Sequence, residues 1–120
     1  MESLKKNSHF QRVYNNGRSK ASKYLVVYWL ANKKQYSVNR YGITISKKIG
    51  NAVVRNKIKR RIKEILRKWD DNNYIKSGFD IVIITRKPVI DLSYHQIKED
   101  LKRLLYKCSL IDSKKGDKLL

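Results

Sequence analysis

The stretch "ISKKIGNAVVRNKIKRRIKEILRKW", residues 45–69, decides how the rest of the chain must fold. Val54, Ile58, Ile62, Ile65 and Trp69 recur at steps of four, four, three and four, which is one apolar stripe of an amphipathic helix. Asn51 is placed to cap that helix after a turn at Gly50. At 100° per residue, Lys59, Arg60, Lys63 and Arg67 fall opposite the stripe, and Arg55 and Arg61 fall on its flanks. Ten Lys and Arg stand between Lys47 and Lys68, with Glu64 the one acid before Trp69. Lys59, Lys63 and Arg67 at i, i+4 and i+8 repel, each pair by roughly a few tenths of a kcal/mol. A solvated helix face normally mixes signs; a face sorted this way needs an external anion.

On either side of this helix the periodicity changes to two. "RYGITIS" (40–46) alternates Tyr41, Ile43 and Ile45 with Arg40, Gly42, Thr44 and Ser46. "FDIVIIT" (79–85) is a continuous apolar run, the mark of a central strand buried on both faces. The helix must therefore cross between two strands. Upstream, 20–32 carries a strand with two apolar faces: Tyr24, Val26, Tyr28 and Leu30, against Leu25, Val27, Trp29 and Ala31. One face covers the core; the other is covered by the first helix, a partner or stacked bases. Meander logic pairs 40–46 antiparallel with this strand, across a polar connection at 33–39.

"NSHFQRVYNNG" (7–17) predicts a short first helix, capped by Asn7 or Ser8 and ended by Gly17, with Phe10, Val13 and Tyr14 on one face. "DDNNYIKSG" (70–78) reads as a loop. Ser93 and Gln96 offer a capping box to a last helix whose inner face is Ile97, Leu101, Leu104, Leu105 and Cys108. The order helix, strand, strand, helix, strand, helix predicts an α+β fold: a small two-layer α/β sandwich, helices packed on a mixed, mainly antiparallel sheet. A single domain over 1–120 is expected, with 1–6 and 111–120 as frayed tails.

The 120 residues carry a formal net charge of +19, which strains a compact state unless a polyanion relieves it. With 41% hydrophobic and 10% aromatic residues a core can form, so this is no disordered basic tail. Nucleic acid is the expected polyanion. An anionic membrane is the lesser option, because the basic segments also need an apolar face for the core, so no membrane partner is expected; the longest apolar run, "YLVVYWLA" at 24–31, is too short to span a bilayer. A single cysteine, Cys108, forbids an intrachain disulfide and fits a reducing, cytoplasmic setting. No signal peptide is expected at the N-terminus.

Protein-based catalysis finds little support. His9 and His95 are the only histidines, each expected in the first turn of a different helix, so a two-histidine nuclease site is disfavoured. The acids Asp70, Asp71, Asp80, Asp91, Glu99 and Asp100 form no recognisable metal cluster, and no metal or bound cofactor is expected. Cys108 on an apolar face reads as core. Aromatics are better placed for binding. Tyr28, Val26 and Thr44 with Phe10 and Tyr14 describe either plain core under the first helix or a groove for a single strand, since rings stack on bases of any identity. A helix over a sheet leaves a cleft along its edge, so the two readings are partly compatible.

"ISKKIGNAVVRNKIKRRIKE" closely resembles the signature of the bacterial ribonuclease P protein component: a Ser-Lys-Lys-x-Gly-x-Ala turn, then Arg-Asn-Arg and Lys-Arg on a basic helix. Lys57 stands where the family carries its second arginine, keeping the charge without the planar fork. "HFQRVYNNG", "FDIVIITRKP" and "SYHQIKEDLKRLL" are similar to the family's first helix, last core strand and last helix, so the likeness spans roughly residues 4 to 110. It implies a left-handed crossover carrying the basic helix, against the usual hand. It implies that a large catalytic RNA, with bound Mg²⁺, removes the 5′ leader of precursor tRNA, and that this chain supplies no catalytic group. Arg55, Asn56, Lys57, Lys59, Arg60, Arg61, Lys63 and Arg67, with Lys47 and Lys48, are then expected on the catalytic RNA. Phe10, Tyr14, Val26, Tyr28, Thr44 and Ser46 are expected to line the leader cleft. No obligate protein partner is implied. The main rival is a non-enzymatic basic RNA-binding protein of ribosomal type.

Overall fold

The computed structural model describes residues 1–32 and 38–111. Five strands form one sheet: β1 (Glu2–Ser3), β2 (Arg18–Ala21), β3 (Leu25–Ala31), β4 (Arg40–Thr44) and β5 (Phe79–Thr85), in the order β1-β4-β5-β3-β2. Three helices pack on it: α1 (Asn7–Asn16), α2 (Ala52–Asp71) and α3 (Tyr94–Lys107). Both faces are used. Leu25, Val27, Ile81 and Ile83 share a core with Ile58, Ile62, Ile65, Leu66 and Trp69 of α2 and Ile97, Leu101, Leu104 and Leu105 of α3. On the reverse face, Val82, Tyr28, Leu30 and Ile84 meet Leu4 and the α1 residues Phe10, Val13 and Tyr14.

Strand β5 has the central place its apolar run predicts, flanked by β3 antiparallel and β4 parallel. The meander expectation is corrected here: β4 does not pair with β3, because β5 is inserted between them. The physical reason is burial. An uninterrupted Ile/Val run must be covered on both faces and both edges, which no outer strand allows. The crossover β4–α2–β5 then lays the basic helix beside the β4 edge.

Residues 1–6, expected to fray, instead place β1 parallel to β4, with the Leu4 amide donating to the Tyr41 carbonyl at 2.8 Å and Leu4 buried. β2 was also hidden in sequence. It is a four-residue outer strand with every residue exposed, so it carries no burial period to read. Ser22 closes its hairpin: its Oγ accepts the Tyr24 and Leu25 amides and donates to Asp100 Oδ2 of α3 at 2.6 Å. Asn39, expected in a polar connection, is buried and bridges Lys76 O and the Phe79 amide. The rest of that connection, 33–37, and the expected tail from 112 lie outside the described residues.

Helix ends follow their chemistry in two cases of three. Asn51 Oδ1 accepts the Val54 amide at 3.0 Å. Ser93 and Gln96 form the full capping box. The α1 N-cap is Lys6 rather than Asn7 or Ser8, and its side chain makes no cap bond. Gly17 ends α1 through close approach: a Cβ there would stand 2.5 Å from the Trp29 carbonyl and 2.6 Å from that of Val13. In α2, Leu66 joins the buried stripe. Its position four residues after Ile62 was the signal that could have found it.

Candidate nucleic-acid interface

On the α1 face of the sheet the even-numbered strand residues form rows. Tyr28, Val82 and Gly42 are in register across β3, β5 and β4, and so are Val26, Ile84 and Thr44. Over the first row lies α1. Tyr14 meets the Tyr28 ring edge-on with centroids 5.1 Å apart, and Phe10 lies 6.5 Å from Tyr14. Phe10 sits over Gly42, where a Cβ would collide with its Cε1 and stand 2.6 Å from its Cζ. The glycine is what lets the ring lie against the sheet.

The second row is where the expected groove residues reach solvent. Val26 and Ile84 are half-buried and Thr44 is exposed. Five of the six expected groove residues thus share one face: Phe10, Tyr14, Val26, Tyr28 and Thr44. The Phe10–Val13–Tyr14 cluster is core and trough wall together, since Val13 is fully buried while the two rings are half-buried. Ser46 is different. It follows β4, and its Oγ accepts the Lys48 amide at 3.2 Å, so it holds the turn that presents Lys47 and Lys48.

A polar hub that sequence reasoning missed ties α1 to the sheet through Arg12. Asp80 is fully buried. Its carboxylate accepts Arg40 Nε (2.9 Å) and Nη2 (2.7 Å), Arg12 Nη2 (3.0 Å) and Asn32 Nδ2 (3.0 Å). Burial alone would raise its pKa. The hydrogen bonds and charges of Arg40 and Arg12 outweigh that and hold the carboxyl below its usual value. The only signal in the sequence was an acid inside an apolar strand, which demands a partner.

On α2, exposed Lys57, Lys59, Arg60, Lys63 and Arg67 stand away from the core as the period predicts, and Asn56 is exposed with them. Arg55 and Arg61 are half-buried on the flanks. Glu64 pairs with Lys68 at 3.7 Å, and none of the ion pairs among the described residues engages Lys59, Lys63 or Arg67. Lys47 and Lys48 are exposed in a short 3₁₀ turn (Lys47–Ile49) just before the α2 N-terminus.

Among the described residues, the two histidines are not brought together. His9 belongs to α1, its Nδ1 3.5 Å from Arg40 Nη1; His95 belongs to α3, on the opposite face of the sheet. Cys108 is buried, and burial pushes its thiol up to about 11, leaving it protonated at neutral pH. Among the described residues, no group of three or more His, Cys, Asp or Glu is placed to hold a metal ion. No described helix is long and apolar enough to cross a membrane.

Comparison with known proteins agrees with this geometry. The sequence profile of the family described as Ribonuclease P matches residues 1–109. The ribonuclease P protein component of Clostridioides difficile is 47% identical over 102 residues, 85% of this chain and 87% of that protein. That of Caldanaerobacter subterraneus subsp. tengcongensis is 40% identical over 111 residues, 92% of each. Among solved structures, the Staphylococcus aureus RNase P protein superposes with a TM-score of 0.83 at 39% identity, covering 93% of this chain and 99% of that one. The Thermotoga maritima RNase P protein gives 0.78 at 32%, covering 89% and 97%.

Proposed function

This chain belongs to the ribonuclease P protein family, and from that premise we propose that it binds a catalytic RNA through α2 and the single-stranded 5′ leader of precursor tRNA through the trough under α1. The observation that carries the reading is the adjacency of two unlike surfaces: unpaired cations along one helix, and a half-buried aromatic trough whose open floor ends at Thr44, just before Lys47 and Lys48.

The two surfaces have different work. Lys and Arg of α2 neutralise phosphates and release counterions, which drives assembly without reading sequence. Phe10, Tyr14 and Tyr28 offer ring faces and edges to leader bases, each stacked base contributing roughly 1–3 kcal/mol. Mature tRNA has no leader and forfeits those contacts, so the protein favours substrate over product. Cleavage itself is assigned to Mg²⁺ held by the catalytic RNA in a cytoplasmic holoenzyme. The chain's own part is to hold the leader and to bring positive charge to a crowded RNA junction, lowering the Mg²⁺ needed. A ribosomal-type RNA binder would have no use for the trough, and the family match speaks against it.

The test is leader cleavage by a bacterial ribonuclease P RNA at limiting Mg²⁺, with and without this protein. Stimulation, with precursor bound more tightly than mature tRNA, is the expected result. Unchanged cleavage would remove the reading.

A further inference from the structure

β1 pairs with β4 only at Arg40 and Tyr41, so the outer edge of β4 beyond Tyr41 has no strand partner among the described residues. A cavity of 150 Å³ opens there, between the sheet edge and α2. Leu4, Phe10, Tyr41 and Ile43 give it apolar walls; Lys59 and Lys63 stand on its solvent side. A cavity of about this volume with apolar walls accepts one six-membered ring. The neighbouring hollow along the same edge shares Ile43 and Lys59 and is bounded by Arg55 and Asn56. In it the Arg55 Nε is buried and has no hydrogen-bond partner among the described residues.

We infer that the cavity beside Tyr41 and Ile43 receives one unpaired base of the catalytic RNA, its phosphate on Lys59 and Lys63. The chemistry is that of a nucleotide: a slot for a flat ring, two unpaired cations beside it, and a further guanidinium awaiting an anion one step along. The catalytic RNA is the source because the cations belong to the exposed face of α2. Phe10 is shared with the leader trough, but Ile43 packs toward α2, on the side of β4 away from the leader floor at Val26 and Ile84. This inference rests on the docking role proposed for α2, and it adds a base-specific contact to what is otherwise phosphate neutralisation.

Two experiments test it on the whole chain with its RNA. Ser3 lines the cavity from the exposed strand β1, so Ser3→Trp fills it. With an unchanged melting midpoint, this variant is expected to bind catalytic RNA at least about tenfold more weakly, while the ratio of precursor to mature tRNA affinity stays as in the parent. Unaltered RNA affinity beside a weakened Arg60→Ala control overturns the base slot and leaves the docking role standing. Unaltered affinity in both variants removes the docking role, and the slot with it. A loss that grows with leader length assigns the cavity to the leader and overturns the inference.

Because Cys108 is buried, Ser3→Cys supplies a singly accessible thiol for a photo-crosslinker, which reports even if the Trp variant folds poorly. Crosslinks within the holoenzyme are expected at one unpaired nucleotide of the catalytic RNA. Crosslinks to the leader, to paired residues, or to none overturn the inference.

Discussion

Arg40 and Asp80 meet in a bidentate fork, Nε on Oδ1 at 2.9 Å and Nη2 on Oδ2 at 2.7 Å, with the carboxylate entirely buried. The pair joins β4 to β5 in register, and Arg12 adds α1 to the same carboxylate. An ion pair at this depth is costly to break from one side, because the remaining charge is stranded. Asp80→Asn should therefore destabilise the fold by about 3–5 kcal/mol, read as a lower denaturant midpoint. Replacing Arg12, which is 40% exposed, with Ala should cost far less.

Acid should act through the same carboxyl. Its folded pKa lies below that of an exposed aspartate, about 3.9 in the unfolded chain. The hub therefore contributes its stability above about pH 4 and loses it as the pH falls through the folded value. Chemical denaturation from pH 6 down to pH 2 should show this acid limb in the parent and a shallower one in Asp80→Asn. Equal limbs would mean that other carboxylates dominate.

Gly42→Ala tests the trough without replacing any of its rings. The added methyl must displace Phe10, and overpacking of this kind costs about 1–3 kcal/mol. Precursor binding should weaken more than mature-tRNA binding, measured by titration with each.

Tyr28→Ala removes the ring that Tyr14 meets edge-on. Precursor affinity should fall about tenfold or more, with mature tRNA unaffected. Equal loss for both would count against the leader trough.

Arg60→Ala removes one exposed cation from α2. Affinity for catalytic RNA should fall, and the slope of log K against log salt should flatten by about 1. A steep slope that persists would place Arg60 away from phosphate.

Much of this was legible from residue spacing. The α2 stripe, the central apolar strand, the Asn51 cap and the Ser93 capping box are local patterns, and each is found where the pattern put it. The exposed cations of α2 follow from the same 3.6-residue period. The aromatic residues of α1 and β3 were readable as one face each. What could not be read was that the two faces meet, because ring contact between Tyr14 and Tyr28 is tertiary.

By itself, then, the sequence determined which faces are apolar and which charged, since periodicity is a property of a single element. Only the tertiary structure decided the partners: β5 between β3 and β4, β1 clipped to the β4 edge, Asp80 shared by Arg12 and Arg40, and Phe10 laid on Gly42. Those are contacts between segments distant in the chain. They are chosen by burial and polar satisfaction across the whole molecule, which no local spacing encodes.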